Sequence, residues 1–405
     1  MREFGKQEYK QTIYINFDRN TQLKTLFSQT KDVNQIIQGL ELFTGKKIDP
    51  QSDLILFDEI QEEPQALACL KYFNEDAPQY HIICAGSLLG VALHEGTSFP
   101  VGKVEFLDLY PLSFHEFLVA INKSQYVDLM KSKNYELANT FEEEYQTYLK
   151  QYYFIGGMPE VVAAFIEHHD FNEVREIQKR LLDAYEQDFS KHAPHQIVPR
   201  IRMLWNSIPA QLTKENKKFI YGLIKEGARA KEYEMALLWL IDCGLVHKVY
   251  RVSKPKLPMK AYEDTKAFKL FVMDIGLLSC MVNLQQSVLL DKSEIFTELK
   301  GALTEQYVLQ QLKTMNQLDI AYWSSEKGIA ELDFLISDGN QVVPLEVKAE
   351  INVKAKSLKQ YRLLYEPAIS IRSSMKPYHV EEGLCNLPLW AILNIQQEIE
   401  PNTLL

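Results

Sequence analysis

Three short, nearly unbroken apolar runs, each closing on a small or acidic residue, constrain this chain more than any other feature. Residues 12–17 (Thr-Ile-Tyr-Ile-Asn-Phe) end at Asp18, Leu54 to Phe57 ends in Asp58-Glu59, and His81 to Ala85 ends in Gly86-Ser87. Runs this short and this continuously apolar suit strands buried on both faces, as in a parallel sheet. Polar–apolar helical stretches at 21–29, at 33–44 and after Pro64 lie between them. Strands alternating with helices at this spacing predict a doubly wound α/β layer. Val104 to Leu109, closed by Pro111, reads as a fourth strand.

From 113 to about 250 the pattern turns helical, with a long amphipathic stretch at 171–191. The turn Gly156-Gly157-Met158-Pro159 separates two helices, since proline suits a first helical turn. Three short helical segments and a strand, Leu245 to Val252, resemble a winged-helix arrangement over 203–252. Beyond the connector Ser253 to Pro258, a helix at 298–314 precedes strand-like runs at 319–323, 331–336 and 341–347, and then a helix near 355–365. At 405 residues, about two to four domains are expected.

Composition narrows the class. Hydrophobic residues make up 46% and charged residues 24%, the balance of a globular protein. A net charge of −10 confines any nucleic-acid contact to a local basic patch. The five cysteines, Cys69, Cys84, Cys243, Cys280 and Cys385, show no CxxC pairing and read as reduced core thiols. No run approaches the roughly 18 apolar residues of a membrane span. The charged N-terminus has no apolar signal region, and the expected compartment is the cytoplasm.

Two acidic clusters carry the chemistry. Asp58 and Glu59 stand where a buried strand would deliver both to the carboxyl end of a sheet, the place where open α/β sheets bind ligands. One carboxylate there can hold the hydration shell of Mg²⁺ while the next orients water. Ser87, ending the next core strand, would set a hydroxyl beside them at the position of a γ-phosphate sensor. The plain alternative is an acidic strand terminus that caps the following helix. The sequence holds no G-x-x-x-x-G-K-[ST] phosphate loop. Gly39…Gly45-Lys46-Lys47 has five intervening residues instead of four, a lysine where the hydroxyl belongs, and a helix before it.

The second cluster comprises Asp333 in Glu331-Leu-Asp-Phe and Glu346 and Lys348 in Val342-Val-Pro-Leu-Glu-Val-Lys. Strand alternation puts Glu346 and Lys348 on one face, and a strand thirteen residues earlier brings Asp333 alongside. Two carboxylates and a lysine at a sheet edge suit Mg²⁺-assisted phosphodiester hydrolysis, with Glu305 on the preceding helix as a further ligand. A solvated charged hairpin is the alternative. Lys348, Lys354, Lys356, Lys359, Arg362, Arg372 and Lys376, against Glu350 and Glu366, form either a DNA-contacting patch or an ordinary helix face. His168-His169 and His192…His195 lack accompanying metal ligands and read as helix-end histidines. Trp205, Trp239 and Tyr221 read as core.

Read together, Tyr14-Ile-Asn-Phe17, Leu56-Phe-Asp-Glu-Ile-Gln61, Ala85-Gly-Ser87, Tyr110-Pro-Leu-Ser-Phe-His-Glu-Phe117, Gly156-Gly-Met-Pro159 and the two C-terminal motifs resemble the bacterial and archaeal AAA+-type predicted ATPases with a C-terminal domain of unknown function. The helix, strand Asp, strand Glu-x-Lys order resembles the restriction-endonuclease-like, PD-(D/E)XK superfamily. The resemblance implies an incomplete AAA+-like core without its P-loop over 1–120, a helical lid over 121–200, a winged-helix-like domain over 201–290 and a restriction-endonuclease-like domain over 291–395. It places Asp58 and Glu59 at the Walker B acids, Ser87 at the sensor and Lys103 where the family often has arginine, with ATP and Mg²⁺ as cofactors. Lysine lacks arginine's bidentate fork, so a finger role transfers poorly. The chain is expected to begin one helix after the P-loop. Hydrolysis would then be lost, and an apolar sheet edge would be left for a protein partner or a second copy to cover.

Overall fold

The computed structural model describes residues 1–86, 100–214, 217–287, 297–315, 318–325, 330–349 and 356–399, and the chain divides into two compact units, 1–109 and 110–405.

The first unit holds a parallel three-stranded sheet in the order β1 (Gln11–Asn16), β2 (Asp53–Asp58), β3 (His81–Cys84). Crossovers through the helices Thr21–Gln29, Val33–Thr44 and Pro64–Asp76 make the strands parallel. Asp32 caps the second of these helices by accepting from the Asn34 amide. Ile13, Ile15, Ile55 and Phe57 bury one sheet face against the helices, and Phe17, Phe27 and Phe57 pack edge to face beneath it. The helix Arg2–Glu8 meets the other face at Thr12 and Leu54. The expected fourth strand does not form. Residues 104–109 carry no regular structure, and Leu107 and Leu109 are 86% and 83% exposed. Apolar residues fall on both sides of that segment, and among the described residues no strand lies beside it to pair its backbone. Gly45 ends the helix Val33–Thr44 as its left-handed cap, so the Gly39…Gly45-Lys46 segment is a helix terminus.

The second unit is built on a mixed eight-stranded sheet in the order β10-β11-β9-β8-β7-β6-β4-β5. Its strands are β4 (Val246–Val252), β5 (Glu263–Val272), β6 (Asp319–Ser324), β7 (Glu331–Ser337), β8 (Val342–Val347), β9 (Ser370–Ser374), β10 (His379–Glu381) and β11 (Leu384–Pro388). β4 and β5 form an antiparallel hairpin, and β4 pairs parallel to β6 at Arg251 and Val252. The helical middle and the C-terminal strands therefore share one sheet. The helices Val198–Leu212 and Ala230–Asp242 pack on each other and precede the β4–β5 hairpin, with Trp205 and Trp239 buried and Tyr221 half-buried.

A second tie is built from side chains. The buried helix Thr297–Lys313 presents Gln306, Gln310 and Gln311, which accept from the backbone amides of Val272, Ile275 and Phe114 at 3.0, 2.8 and 2.7 Å. Asp274 accepts from the amides of Gly157 at 2.7 Å and Leu277 at 2.9 Å and from Gln310 Nε2 at 3.0 Å. Amide donors satisfy this buried carboxylate, yet burial raises its pKa. No described helix is long and apolar enough to cross a membrane. All five cysteines are free, and burial raises the Cys84 thiol to about 12.

Candidate functional site

Asp58 and Glu59 end β2, the central strand of the first sheet, at its carboxyl rim. One Asp58 oxygen accepts from the Tyr14 hydroxyl and, at 3.4 Å, from Asn16 Nδ2, while the other accepts from the Glu59 amide at 3.2 Å. Arg2 lies over the Tyr14 ring, 3.6 Å from its centroid. Glu59 adopts a left-handed φ of 52°, turning the chain into the short helix Ile60–Glu62, and its Oε2 accepts from Gln61 Nε2 at 2.6 Å. A non-glycine residue at positive φ is uncommon, and such residues concentrate at functional sites. The loop after β3 comes alongside, with the Ile60 amide donating to the Ala85 carbonyl at 3.0 Å and the Ala85 amide to Phe57 at 2.8 Å. Ser87 lies outside the described residues.

Lys103 is not assembled with this pair. Its ammonium sits 3.2 Å from Glu75, at the end of the helix Pro64–Asp76. That helix runs from the rim after β2 back to the rim before β3, which carries its last turn away from Asp58. At that same far rim a charged cleft of about 460 Å³ opens beside Lys10, Glu41, Lys47 and Asp49. Ligands of open α/β sheets bind beyond the carboxyl ends of strands, so the cleft lies on the wrong side for the acidic pair.

In the second unit, Glu305, Asp333, Glu346 and Lys348 do converge. Glu346 and Lys348 lie at the end of β8, with Lys348 Nζ 2.5 Å from Glu346 Oε1. Asp333 on β7 accepts the Val347 amide at 2.7 Å, which locks its carboxyl against the end of β8. Two lysines that motif reading missed join them. Lys217 is ion-paired to Glu305 Oε1, and Lys269 on β5 lies 3.7 Å from Glu305 Oε2 and 2.7 Å from Glu331 Oε1.

The electrostatics follow from crowding. Burial raises the Asp333 carboxyl well above the usual range, and the Glu305 and Glu346 carboxylates raise it further. Burial also pushes against ionisation of Glu305, but Lys217 and Lys269 outweigh it and hold that group at about 2. Burial disfavours the Lys269 ammonium, and Glu305, Glu331 and Asp333 overcome it and raise its pKa. Burial likewise raises the Glu346 carboxyl, against the pull of Lys348, so of Asp333, Glu305 and Glu346 only Glu305 is held firmly in its charged form.

Among the described residues, no group of three His, Cys, Asp or Glu side chains is arranged to hold a metal ion. Asp58 has one carboxylate with neutral hydrogen-bond partners, which suits outer-sphere contact with a hydrated cation. The C-terminal cluster does not fit a directly bound one, because ammonium groups are interleaved with its carboxylates.

Of the basic patch, Arg362 donates to the Glu382 carbonyl and Arg372 to Asn386 at 2.9 Å, Lys376 is half-buried, and Lys356 and Lys359 are exposed to solvent. Lys354 and Glu350 lie outside the described residues. His168 pairs with Glu173 at 2.7 Å, a contact that raises its pKa and marks it as a helix-end residue.

Residues 1–118 match an AAA domain family, residues 146–288 match a domain of unknown function, DUF8612, and residues 300–392 match another, DUF4143. The search among curated proteins finds no match. Among solved structures the chain is similar to the Walker-type ATPase PABY2304 of Pyrococcus abyssi, at 13% identity and a TM-score of 0.40, covering 67% of this chain and 84% of that one. The AAA match supports an AAA-type ATPase domain at the N-terminus, whereas neither C-terminal match carries an activity.

Proposed function

We propose that the chain is a nucleotide-binding protein of the AAA type whose acidic half-site is Asp58-Glu59, and that in this 405-residue form it does not hydrolyse ATP. One observation carries the reading: the central strand of a parallel sheet ends in two adjacent carboxylates at its carboxyl rim. Bound Mg²⁺·ATP would supply the electrophilic γ-phosphate and its charge-neutralising cation. Asp58, steadied by Tyr14 and Asn16, would hold the hydration shell, and Glu59 would orient water. The chain lacks a G-x-x-x-x-G-K-[ST] segment, so the amide cradle and lysine that grip the β- and γ-phosphates are not supplied by its own sequence. Phosphate release from Mg²⁺·ATP is the test. Background release is expected, and ordinary turnover abolished by Glu59→Gln would overturn the proposal.

The same reading gives the second unit a restriction-endonuclease-like core, with the helices Val198–Leu212 and Ala230–Asp242 and the β4–β5 hairpin as a winged-helix-like element. A protein partner or second copy would cover the outer edge of β3, which pairs with no further strand among the described residues. A second reading, a metal-dependent nuclease contacting DNA through Lys356 and Lys359, draws on the convergence of Glu305, Asp333, Glu346 and Lys348, against the ammonium groups interleaved with those carboxylates. Mg²⁺- or Mn²⁺-dependent DNA cleavage lost in Asp333→Ala and Lys348→Ala would support it; absence of cleavage across several metals would reject it.

A further inference from the structure

We infer that the C-terminal acidic cluster is a lysine-closed clamp: Lys217 and Lys269 stand where a divalent cation would have to sit, and the cluster binds them in place of a metal. The inference concerns the site of the nuclease reading and holds whether or not the first unit binds nucleotide.

The donor set decides it. Magnesium demands octahedral coordination by about six oxygens and manganese behaves alike, so a protein site must aim several free carboxylate oxygens at one point. Here Glu305 Oε1 is taken by the Lys217 ammonium, and Glu305 Oε2 faces Lys269 at 3.7 Å. Glu346 Oε1 holds Lys348 at 2.5 Å, and Asp333 Oδ2 holds the Val347 amide at 2.7 Å. Among the described residues Glu346 Oε2 and Glu305 Oε2 are buried with no hydrogen bond, the second facing Lys269, and two such oxygens fall far short of the roughly six that an octahedral cation needs. A cation set against Glu305 would also lie within a few ångströms of two ammonium groups, in surroundings too dry to screen the repulsion.

Burial shows that these lysines are not surface residues that happen to have folded inward. The Lys269 side chain is 0% exposed and that of Lys217 is 14% exposed, against 34% for Lys348. Lys269 points from the middle of β5 and reaches Glu331 on β7 as well as Glu305 on the helix Thr297–Lys313. An ammonium buried this completely is retained only when it is paired, so its place is built into the fold.

The origin of the partners gives the clamp its purpose. Lys217 and Lys269 belong to the 146–288 match, while Glu305, Glu331, Asp333 and Glu346 belong to the 300–392 match. The ion network therefore pins one matched segment to the other, supplying between segments the cross-link that a metal would supply within one.

Manganese alone is the probe, titrated into the full chain by calorimetry. No saturable site at millimolar Mn²⁺ beyond any abolished by Asp58→Asn is expected. Stoichiometric binding that survives Asp58→Asn and disappears in Glu305→Gln would overturn the clamp, and Mn²⁺-dependent DNA cleavage alongside it would uphold the nuclease reading. A double-mutant cycle keeps the test independent of metal. Lys217→Met should lower the unfolding midpoint much more in wild type than in a Glu305→Gln background, whereas equal losses in both backgrounds would also overturn the clamp.

Discussion

Gly156 and Asp274 meet so closely that a Cβ on the glycine would collide with the aspartate's Oδ1. Gly156 also holds a φ of 75°, and the next residue, Gly157, leaves no room for a Cβ against the Leu112 carbonyl. The pair thus does two things at once: it separates the helices Glu142–Ile155 and Pro159–His168, as the sequence predicts, and it lets the backbone close on a buried carboxylate. Gly156→Ala should destabilise the second unit by about 2–4 kcal/mol, from strain at positive φ together with a forced displacement of Asp274. All four tryptophans, Trp205, Trp239, Trp323 and Trp390, belong to residues 110–405, so their fluorescence during urea unfolding measures that unit selectively. An unchanged midpoint would show that the segment yields easily.

Lys269→Met keeps the volume of the buried stem and removes the charge facing Glu305 and Glu331. Stranding those carboxylates should cost about 3–5 kcal/mol. Adding Glu331→Gln should recover part of the loss, and tryptophan fluorescence during denaturation would measure both steps. A single variant as stable as wild type would mean that the carboxylates take up protons without penalty.

Acid should weaken the second unit through two of its buried histidines. His115 and His247 are both pulled down to about 4, by burial first and then by Lys131 and Lys313 respectively, and His115 Nε2 has no hydrogen-bond partner among the described residues. The unfolded chain takes up these protons near 6.5 and the folded chain only near 4, so stability falls as pH drops between those values. Because both rings keep some surface open, about 1–2 kcal/mol per histidine is expected. His247→Gln should flatten the slope of stability against pH across that window; an unchanged slope would remove His247 from the account.

At the first site, Asp58→Asn should weaken Mg²⁺-dependent binding of a fluorescent ATP analogue at least tenfold, about 1.4 kcal/mol. Tyr14→Phe, which removes only a hydroxyl from the Asp58 carboxylate, should cost less, about 1 kcal/mol. Equal affinity in wild type and Asp58→Asn, measured by fluorescence anisotropy, would detach the acidic pair from nucleotide.

How much was legible depended on where each residue's partner lies. β2 and its terminal acids were readable because a strand buried on both faces is apolar throughout, and only its end can be acidic. Asp333, Glu346 and Lys348 were readable because their strands are consecutive and the alternation is local. Lys217 and Lys269 were not, since a lysine ordinarily signals solvent and Lys217 finds its partner 88 residues away. β5 was hidden by Asp264, Lys266 and Lys269 and by a register shift between Tyr250 and Arg251. β9 was hidden because Ser370, Ser373 and Ser374 are buried without the branched or aromatic side chains that announce a strand. The run at 104–109 failed in the other direction, its apolar content promising a strand that pairs with none of the described ones.

The parallel pairing of β4 with β6 bears on any attempt to dissect the protein. Truncation between residues 288 and 300, where two family matches adjoin, would cut through a single hydrogen-bonded layer. An N-terminal fragment would keep the β4–β5 hairpin with a raw edge along Arg251 and Val252, and a C-terminal fragment would keep β6 with the complementary edge at Tyr322 and Trp323. Each piece would be sticky toward the other and toward itself, so co-expressed halves should reassemble where separately produced halves precipitate.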